Sequence, residues 1–514
     1  MREALRFPQC AVASPHYLAS AAGLALFARG GNAVDAVLGA NLALGVVAPY
    51  YCGYGGDLFA IVWDGRAHGY LGSGCSPAAS SIEQVREATG GDTMPWIGPH
   101  TVTVPGAVAG WFDLLGRYGS MSFGEIARDA VRLAREGFTV TAKAAEVLEG
   151  SAALYTGFPD WQAAYPSRAP GVLVRQPALA ATIELLARDG PDAYYRGPIA
   201  HAVAHAVQRA GGTLHTTDLA AHCGEWVEPL RAPYRDLDVL ELPPPTQGVT
   251  ALEILRILDG FTLPSDGVDR HHLMIEACKL GLADRDSFVT DPAFMSVAPD
   301  ALLADDWIED RRLRIDPRRS SMPPTTVPQR GGTAYLCAAD RDGLMVSLIQ
   351  SNFLAFGSGV HVPEWGINLN NRGSSFTLDP DTVNALAPGK RPMHTLVPAL
   401  ALRDGTPALV FGTMGGDAQA QVQAQLLARI VDDREDLQRA LDGPRWQVDP
   451  GRWAVQAEPT LGDEVIGGLE ARGHHVRLTN PFDSRMGHAH AIRPGPGGYA
   501  AATDPRAEGA ALGL

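Results

Sequence analysis

Gly331-Gly332-Thr333-Ala334-Tyr335-Leu336 is the stretch on which the reading of this chain turns. On its N-terminal side lies a segment rich in proline and arginine, from Asp316-Pro317-Arg318-Arg319 through Pro323-Pro324 to Pro328-Gln329-Arg330. Prolines remove amide donors and bias the residues before them away from helix, so this segment reads as a loop. On the C-terminal side an apolar run, Ala334 to Ala339, meets the turn Asp340-Arg341-Asp342-Gly343 and a second run, Leu344 to Ile349. An Asp-Gly turn between β-prone runs predicts a hairpin. Thr333 then stands where a loop enters a buried strand. If the Gly332–Thr333 bond were cut, Thr333 would hold a hydroxyl nucleophile and a free α-amine on one residue. The amine could act as base for the hydroxyl, with no histidine required. Taken alone, such a threonine is more often a β-branched residue that merely opens a strand, so the rest of the chain has to decide.

The chain has 514 residues, enough for a large core. A charged content of 19% with plentiful glycine and proline describes a compact soluble protein mixing helices and strands. A net charge of −15 argues against nucleic acid or an anionic membrane as partner. The six cysteines, Cys10, Cys52, Cys75, Cys223, Cys278 and Cys337, lack metal-ligand spacing, and several lie in apolar runs. Reduced, buried thiols are expected. The N-terminal residues Met1 to Pro8 contain no signal-peptide core, and no run reaches transmembrane length, so a cytoplasmic location with no membrane partner is expected.

Periodicity predicts a helix over about 18–28, closed at Gly30-Gly31, and a nearly all-apolar helix over 33–47 capped by Asn32. The Gly53-Tyr54-Gly55-Gly56-Asp57 turn leads into a strand, Leu58 to Trp63; such a turn is either simply tight or brings backbone close to something. A strand-turn at 103–106 precedes helices over 107–118 and 123–136. Pro243 to Gln247 forms a rigid turn before a helix over 249–258. His271-His272 opens a long helix reaching about Phe288. Adjacent helical residues point to different faces, so no zinc site is expected there. The wider set His271, His272, His488 and His490 builds no tetrahedral site either. A strand over 408–411 runs into Gly412-Thr413-Met414-Gly415-Gly416, then a helix over 417–431. That Gly-Gly turn is either a plain helix-opening turn or a pair of free amide donors for an oxyanion. No phosphate-binding or dinucleotide fingerprint is present, and no cofactor is expected.

Taken in order, these pieces resemble the gamma-glutamyltransferase family of N-terminal-nucleophile hydrolases. The resemblance starts with Gly30-Gly31-Asn32-Ala33-Val34-Asp35-Ala36 and Gly53-Tyr54-Gly55-Gly56 and continues through Val104-Pro105-Gly106-Ala107-Val108-Ala109-Gly110 and Ala283-Asp284-Arg285. It takes in Phe356-Gly357-Ser358-Gly359, Gly366-Ile367-Asn368-Leu369-Asn370-Asn371, Pro388-Gly389-Lys390-Arg391-Pro392 and Gly415-Gly416, and ends at Asp504-Pro505-Arg506. Each is short, but their order over nearly the whole chain is specific. The resemblance implies an α+β fold, a four-layer αββα sandwich. It implies a proenzyme that cuts itself between Gly332 and Thr333 into a large chain, 1–332, and a small chain, 333–514, which remain one interlocked domain. Thr333 matches the family's catalytic threonine, Ser351 its hydroxyl partner, and Gly415 and Gly416 the oxyanion-hole glycines. The implied chemistry is two-step acyl transfer from a small-molecule donor to water or an amine. Association into a homo-oligomer is left open.

The departures from the family's pattern bear on the substrate. Ser73 stands where the family has its glutamyl-binding arginine, within Leu71-Gly72-Ser73-Gly74-Cys75-Ser76-Pro77. Cys75 replaces the arginine that a related subgroup acting on other amides carries nearby. Ser375 replaces the carboxylate that holds the glutamyl amine, Arg372 replaces a neighbouring amide side chain, and His394-Thr395 replace paired serines; Asn352 is a further substrate-facing position. A γ-glutamyl group would leave both its charges unmatched in such a pocket. Arg372 either faces solvent or clamps a carboxylate with its planar fork, helped by His394. The clamp favours an acidic acyl group without an α-amine, such as an oxalyl, oxamate-like or dicarboxylic acyl. The favoured reading is a self-processing acyltransferase or amidohydrolase of this family working through an acyl-enzyme on Thr333, and two alternatives stand beside it: a specialised-metabolism hydrolase that removes such an anionic acyl group, rather than γ-glutamyl, from an amide or C–C bond, and an uncleaved, non-catalytic family member. Gly332 stands where the wider subgroup tends to have an acidic residue.

Overall fold

The computed structural model describes residues 3–323 and 331–514; the 324–330 part of the proline-rich loop lies outside them. Two seven-stranded sheets stack face to face. One runs, in spatial order, Ala510–Gly513, Ala11–Ser14, Gly332–Ala339, Met345–Phe353, Asp57–Trp63, Ala67–Gly72 and Glu225–Val227. The other runs Leu5–Phe7, Gly498–Thr503, Ala489–Gly495, Thr406–Thr413, Ala399–Arg403, Leu237–Glu241 and Leu230–Tyr234. Both sheets mix strands from before and after Thr333, and every pairing within them is antiparallel.

Strand alternation sorts the core into layers. Phe59, Ile61, Tyr335, Cys337 and Ile349 meet Leu400, Val410 and Ile492 between the sheets. The alternate residues Leu58, Ala60, Leu336 and Leu348 pack outward with the helices Tyr17–Ala28 and Ala33–Val47. On the far side, Phe411, Ala399 and Val239 pack with the helices Gly248–Asp259, Val268–Phe288 and Ala418–Leu427. The order is helix, sheet, sheet, helix, as the family resemblance implied. Gly412 marks how closely the sheets approach, since a Cβ there would meet the Tyr335 ring at 2.3 Å.

The helix Ala33–Val47 is buried along its whole length and opens with a capping box in which Asn32 and Asp35 satisfy each other's backbone amides. Several elements differ from expectation. The 123–136 helix is two, Phe123–Ile126 and Arg128–Glu136, separated at Ala127. The 417–431 helix ends at Leu427 and widens into a π-turn over Ala428–Asp432. The 103–106 segment is not a strand: the Thr103 amide and hydroxyl both donate to Asn370 Oδ1, which draws this backbone toward the 370–375 turn rather than into a ladder. Cys10, Cys52, Cys278 and Cys337 are buried thiols, whereas Cys75 is half-buried and Cys223 exposed. Among the described residues no helix is long and apolar enough to cross a membrane.

Candidate active site

The Gly332–Ala339 strand pairs Gly332 with Phe353 but Ala334 with Gln350, so Ser351 and Asn352 together stand opposite the single Thr333. This bulge re-aims side chains where the strand begins. Thr333 is 1% exposed, and its Oγ1 donates to Ser351 Oγ at 3.2 Å. Ser351 Oγ in turn donates to the Gly332 carbonyl at 2.7 Å and accepts from the Phe353 amide at 2.7 Å. The carbonyl next to the Thr333 hydroxyl is therefore already polarised by a hydroxyl. Phe353 sits at φ 79°, a left-handed value rarely taken by a bulky residue. Gly332 is tightly enclosed, since a Cβ there would lie 2.8 Å from the Tyr50 carbonyl oxygen.

Gly332 and Gly415 line one cavity of about 400 Å³, with Tyr50, Tyr51, Met414 and Asp449. Gly415 and Gly416 take φ of 134° and 60°, which L side chains rarely adopt, just ahead of the helix Ala418–Leu427. Among the described residues neither glycine amide donates to a protein acceptor. Gln247 fixes this turn: its Nε2 donates to the carbonyls of Gly416 at 3.1 Å and Thr395 at 2.9 Å, and its Oε1 accepts from the buried Arg285 at 2.8 Å. Arg285 also pairs with Asp417.

A second, fully buried group lies on the inter-sheet side of the same strands. Asp57 is the register partner of Ser351, so both project to one face. Asp57 Oδ2 lies 3.2 Å from His394 Nε2 and 3.7 Å from Arg372 Nε. Arg372 does not face solvent: it is wholly buried, with its guanidinium 4.2 Å above the Phe353 ring. Its turn, Arg372–Ser375, is held by Asn370 Oδ1, which accepts from the Arg372 amide, and by Asn371, whose side chain accepts from Leu354 N and donates to the Trp96 carbonyl. The His394 amide and carbonyl are held by Pro245 and Gln247. The backbone is thus tied down at these points, yet the side-chain polar atoms are not bonded. Among the described residues the three guanidinium nitrogens, both His394 nitrogens, both Asp57 oxygens, and the hydroxyls of Ser73, Ser375 and Thr395 find no hydrogen-bond partner; nor does Asn352 Oδ1. Burial pushes Asp57 up to about 7 against the pull of Arg372 and of the Gly74 and Gly106 amides. Burial lowers Arg372 to about 10 despite Asp57, and holds His394 well below the usual histidine range, helped by Arg372 and Arg391.

The structure therefore brings together Thr333, Ser351 and Asn352, puts Gly415 and Gly332 on one cavity, and joins Arg372 to His394 through Asp57. Asp57 and Gln247 were not singled out from the sequence. Asp57 was visible as a lone acid opening an all-apolar strand, and Gln247 as the polar end of a proline-rich turn. His271, His488 and His490 each bond to Trp446, Ser484 and Thr503 respectively. His272, Glu276 and His474 bring one ligand atom each within 4.8 Å, but Lys279 Nζ already supplies a cation there, 2.8 Å from Glu276 Oε1 and 3.4 Å from His474 Nδ1.

Residues 19–514 match the gamma-glutamyltranspeptidase family model. The chain is 37% identical to the oxamate amidohydrolase proenzyme of Klebsiella pneumoniae, covering 97% of each. It is 34% identical to the glutathione hydrolase-like YwrD proenzyme of Bacillus subtilis, covering 98% of each. A cephalosporin acylase from Bacillus halodurans superposes with a TM-score of 0.95 at 36% identity, over 100% of this chain and 97% of that one. The fold is that of the N-terminal-nucleophile hydrolases, and the chain belongs to the gamma-glutamyltranspeptidase family, an enzyme of its hydrolase and acyltransferase class.

Proposed function

We propose that this chain is a self-processing amidohydrolase or acyltransferase whose nucleophile is Thr333 and whose acyl pocket takes a small carboxylate-bearing group. The observation that carries the reading is the position of Thr333. Its hydroxyl shares Ser351 with the Gly332 carbonyl, and Ser351 is the register partner of Asp57, which lies in a buried cluster with Arg372 and His394 whose side-chain atoms make no hydrogen bond among the described residues.

In self-processing, Thr333 Oγ attacks the Gly332 carbonyl carbon while the Ser351 hydroxyl stabilises its oxygen. The C–N bond breaks as the amide nitrogen takes the hydroxyl proton. Water then hydrolyses the resulting ester, leaving a carboxylate on Gly332 and a free amine on Thr333. In turnover, that amine takes the Thr333 hydroxyl proton as Oγ attacks the substrate amide. The Gly415 and Gly416 amides receive the developing oxyanion, each such donor contributing about 3 kcal/mol. The substrate C–N bond breaks, the amine leaves with the proton, and water or an acceptor amine resolves the acyl-enzyme.

Arg372 and His394 suit a carboxylate on the acyl group, with the Ser73, Ser375 and Thr395 hydroxyls available to its remaining lone pairs. The relative named for oxamate acts on a molecule that joins a carboxylate directly to an amide, which supports this choice. The test is acid-quenched mass spectrometry of the purified protein mixed with oxamate and with a dicarboxylic half-amide. Acylation confined to the peptide that begins at Thr333, together with released amine, is expected. Turnover with no adduct on that peptide, or none with any carboxylate-bearing amide, would contradict the reading.

A further inference from the structure

Replacing the family's pocket residues does not leave this pocket without an acid. Asp57 lies against both Arg372 and His394, and all three are fully buried. The Gly74 and Gly106 amides also draw on its charge; Tyr194 and Tyr195, from the helix Asp192–Tyr195, feel that charge with their hydroxyls bonded to the Tyr54 and Pro105 carbonyls, and Arg391 acts on His394 from beyond. One guanidinium thus meets one carboxyl, and neither Asp57 oxygen has a hydrogen-bond partner among the described residues. A substrate carboxylate entering beside Arg372 would bring a second negative charge to a single positive one. In a site of low dielectric, two carboxylates sharing one cation cannot both stay ionised, and one takes a proton. A protonated Asp57 turns that repulsion into an O–H donor aimed at the carboxylate. Burial already pushes Asp57 up to about 7, so the proton is close to balance at neutral pH.

We propose that Asp57 is the specificity-determining residue of the acyl pocket: it admits a carboxylate-bearing acyl group as the neutral acid, taking up one proton from solvent on binding and donating its O–H to the bound carboxylate. The inference rests on the reading of the Arg372 pocket as the acyl site.

The test is kcat/KM from about pH 5.5 to 8.5 for a glutaryl anilide, in wild type and Asp57→Asn, with an acetyl anilide as uncharged control for titration of the Thr333 amine. In wild type, kcat/KM for the glutaryl donor relative to the acetyl donor falls about tenfold per unit above pH 7. In Asp57→Asn the ratio is flat with pH and lower than wild type on the acid side, so the two profiles cross. Calorimetry of wild type in buffers of different ionisation enthalpy reads about one proton taken up per bound glutarate near pH 8. A flat wild-type ratio, a fall retained in Asp57→Asn, or no proton uptake would overturn the proposal. So would an Asp57→Asn variant that loses only donors bearing an α-ammonium, because Asp57 would then act ionised. Failure of the underlying site reading looks different: the glutaryl-to-acetyl ratio would be insensitive to Arg372→Gln as well.

Discussion

Two clusters of charged side chains are buried to the same depth in this molecule and bonded in opposite ways. Around Lys279 the charged groups are hydrogen-bonded: Nζ donates to Glu276, Ser320 Oγ and the Ser321 carbonyl, Glu276 accepts from the Ser321 amide, and His272 bonds both His474 and the Asp316 carbonyl. Around Arg372, Asp57 and His394 the charges are also buried, but their side-chain atoms make no hydrogen bond among the described residues, Asp57 only approaching His394 at 3.2 Å and Arg372 at 3.7 Å. Desolvating an unbonded charge costs several kcal/mol. A fold that bears this cost beside a bulged strand and two left-handed glycines has the local inconsistency that marks functional sites. The Lys279 cluster instead clasps residues 316–321, in the segment that leads toward Thr333. Depth of burial alone would not separate the two; hydrogen-bond satisfaction does.

The comparison breaks if both clusters respond alike to substitution. The largest effect is expected from Arg372→Gln, with turnover of carboxylate-bearing amides falling 10²- to 10³-fold, about 3–4 kcal/mol for a desolvated charge pair. Self-cleavage and thermal midpoint should change little, because Asp57 is then free to carry a proton. Steady-state kinetics and a melting curve on one preparation read both. Lys279→Met should do the reverse. It takes the cation from the buried Glu276, leaving it the Ser321 amide, and costs about 3–5 kcal/mol of stability, while kcat/KM per folded molecule, from active-site titration, stays within a few-fold. A smaller effect sharpens the description of the bulge. Ser351→Ala removes the hydroxyl that polarises the Gly332 carbonyl, and the rate of fragment appearance should fall about tenfold, in keeping with one buried hydrogen bond. Smallest is Gly332→Ala, whose Cβ must displace the Tyr50 carbonyl; a few-fold slowing of self-cleavage is expected, followed by gel densitometry.

What was legible in the sequence was local. The hairpin around Asp340–Gly343, the capped helix Ala33–Val47 and the Gly415-Gly416 turn each carry their signal within a dozen or so residues, and the structure has them where alternation and capping put them. The helix break at Ala127 was not legible, because apolar spacing continues across it. The proposed acyl pocket was half legible. The family pattern pointed to Ser73, Arg372, Ser375, His394 and Thr395 as substituted positions, but Asp57 looked like an ordinary turn-to-strand boundary. Its meaning depends on His394 and Arg372, which lie more than three hundred residues away in the chain and come within 3.2 and 3.7 Å of it only in the fold. Whether Arg372 faced solvent or was buried likewise depended on the turn that Asn370 and Asn371 tie down.

The account stands most directly on Thr333 as a self-generated N-terminus. The measurement is the intact mass of the denatured, purified protein, beside Thr333→Ala prepared identically. Two fragments whose masses place the break between Gly332 and Thr333, replaced by one full-length chain in the variant, are the predicted result. A single uncut chain in both preparations, or a break at another bond, would contradict the account.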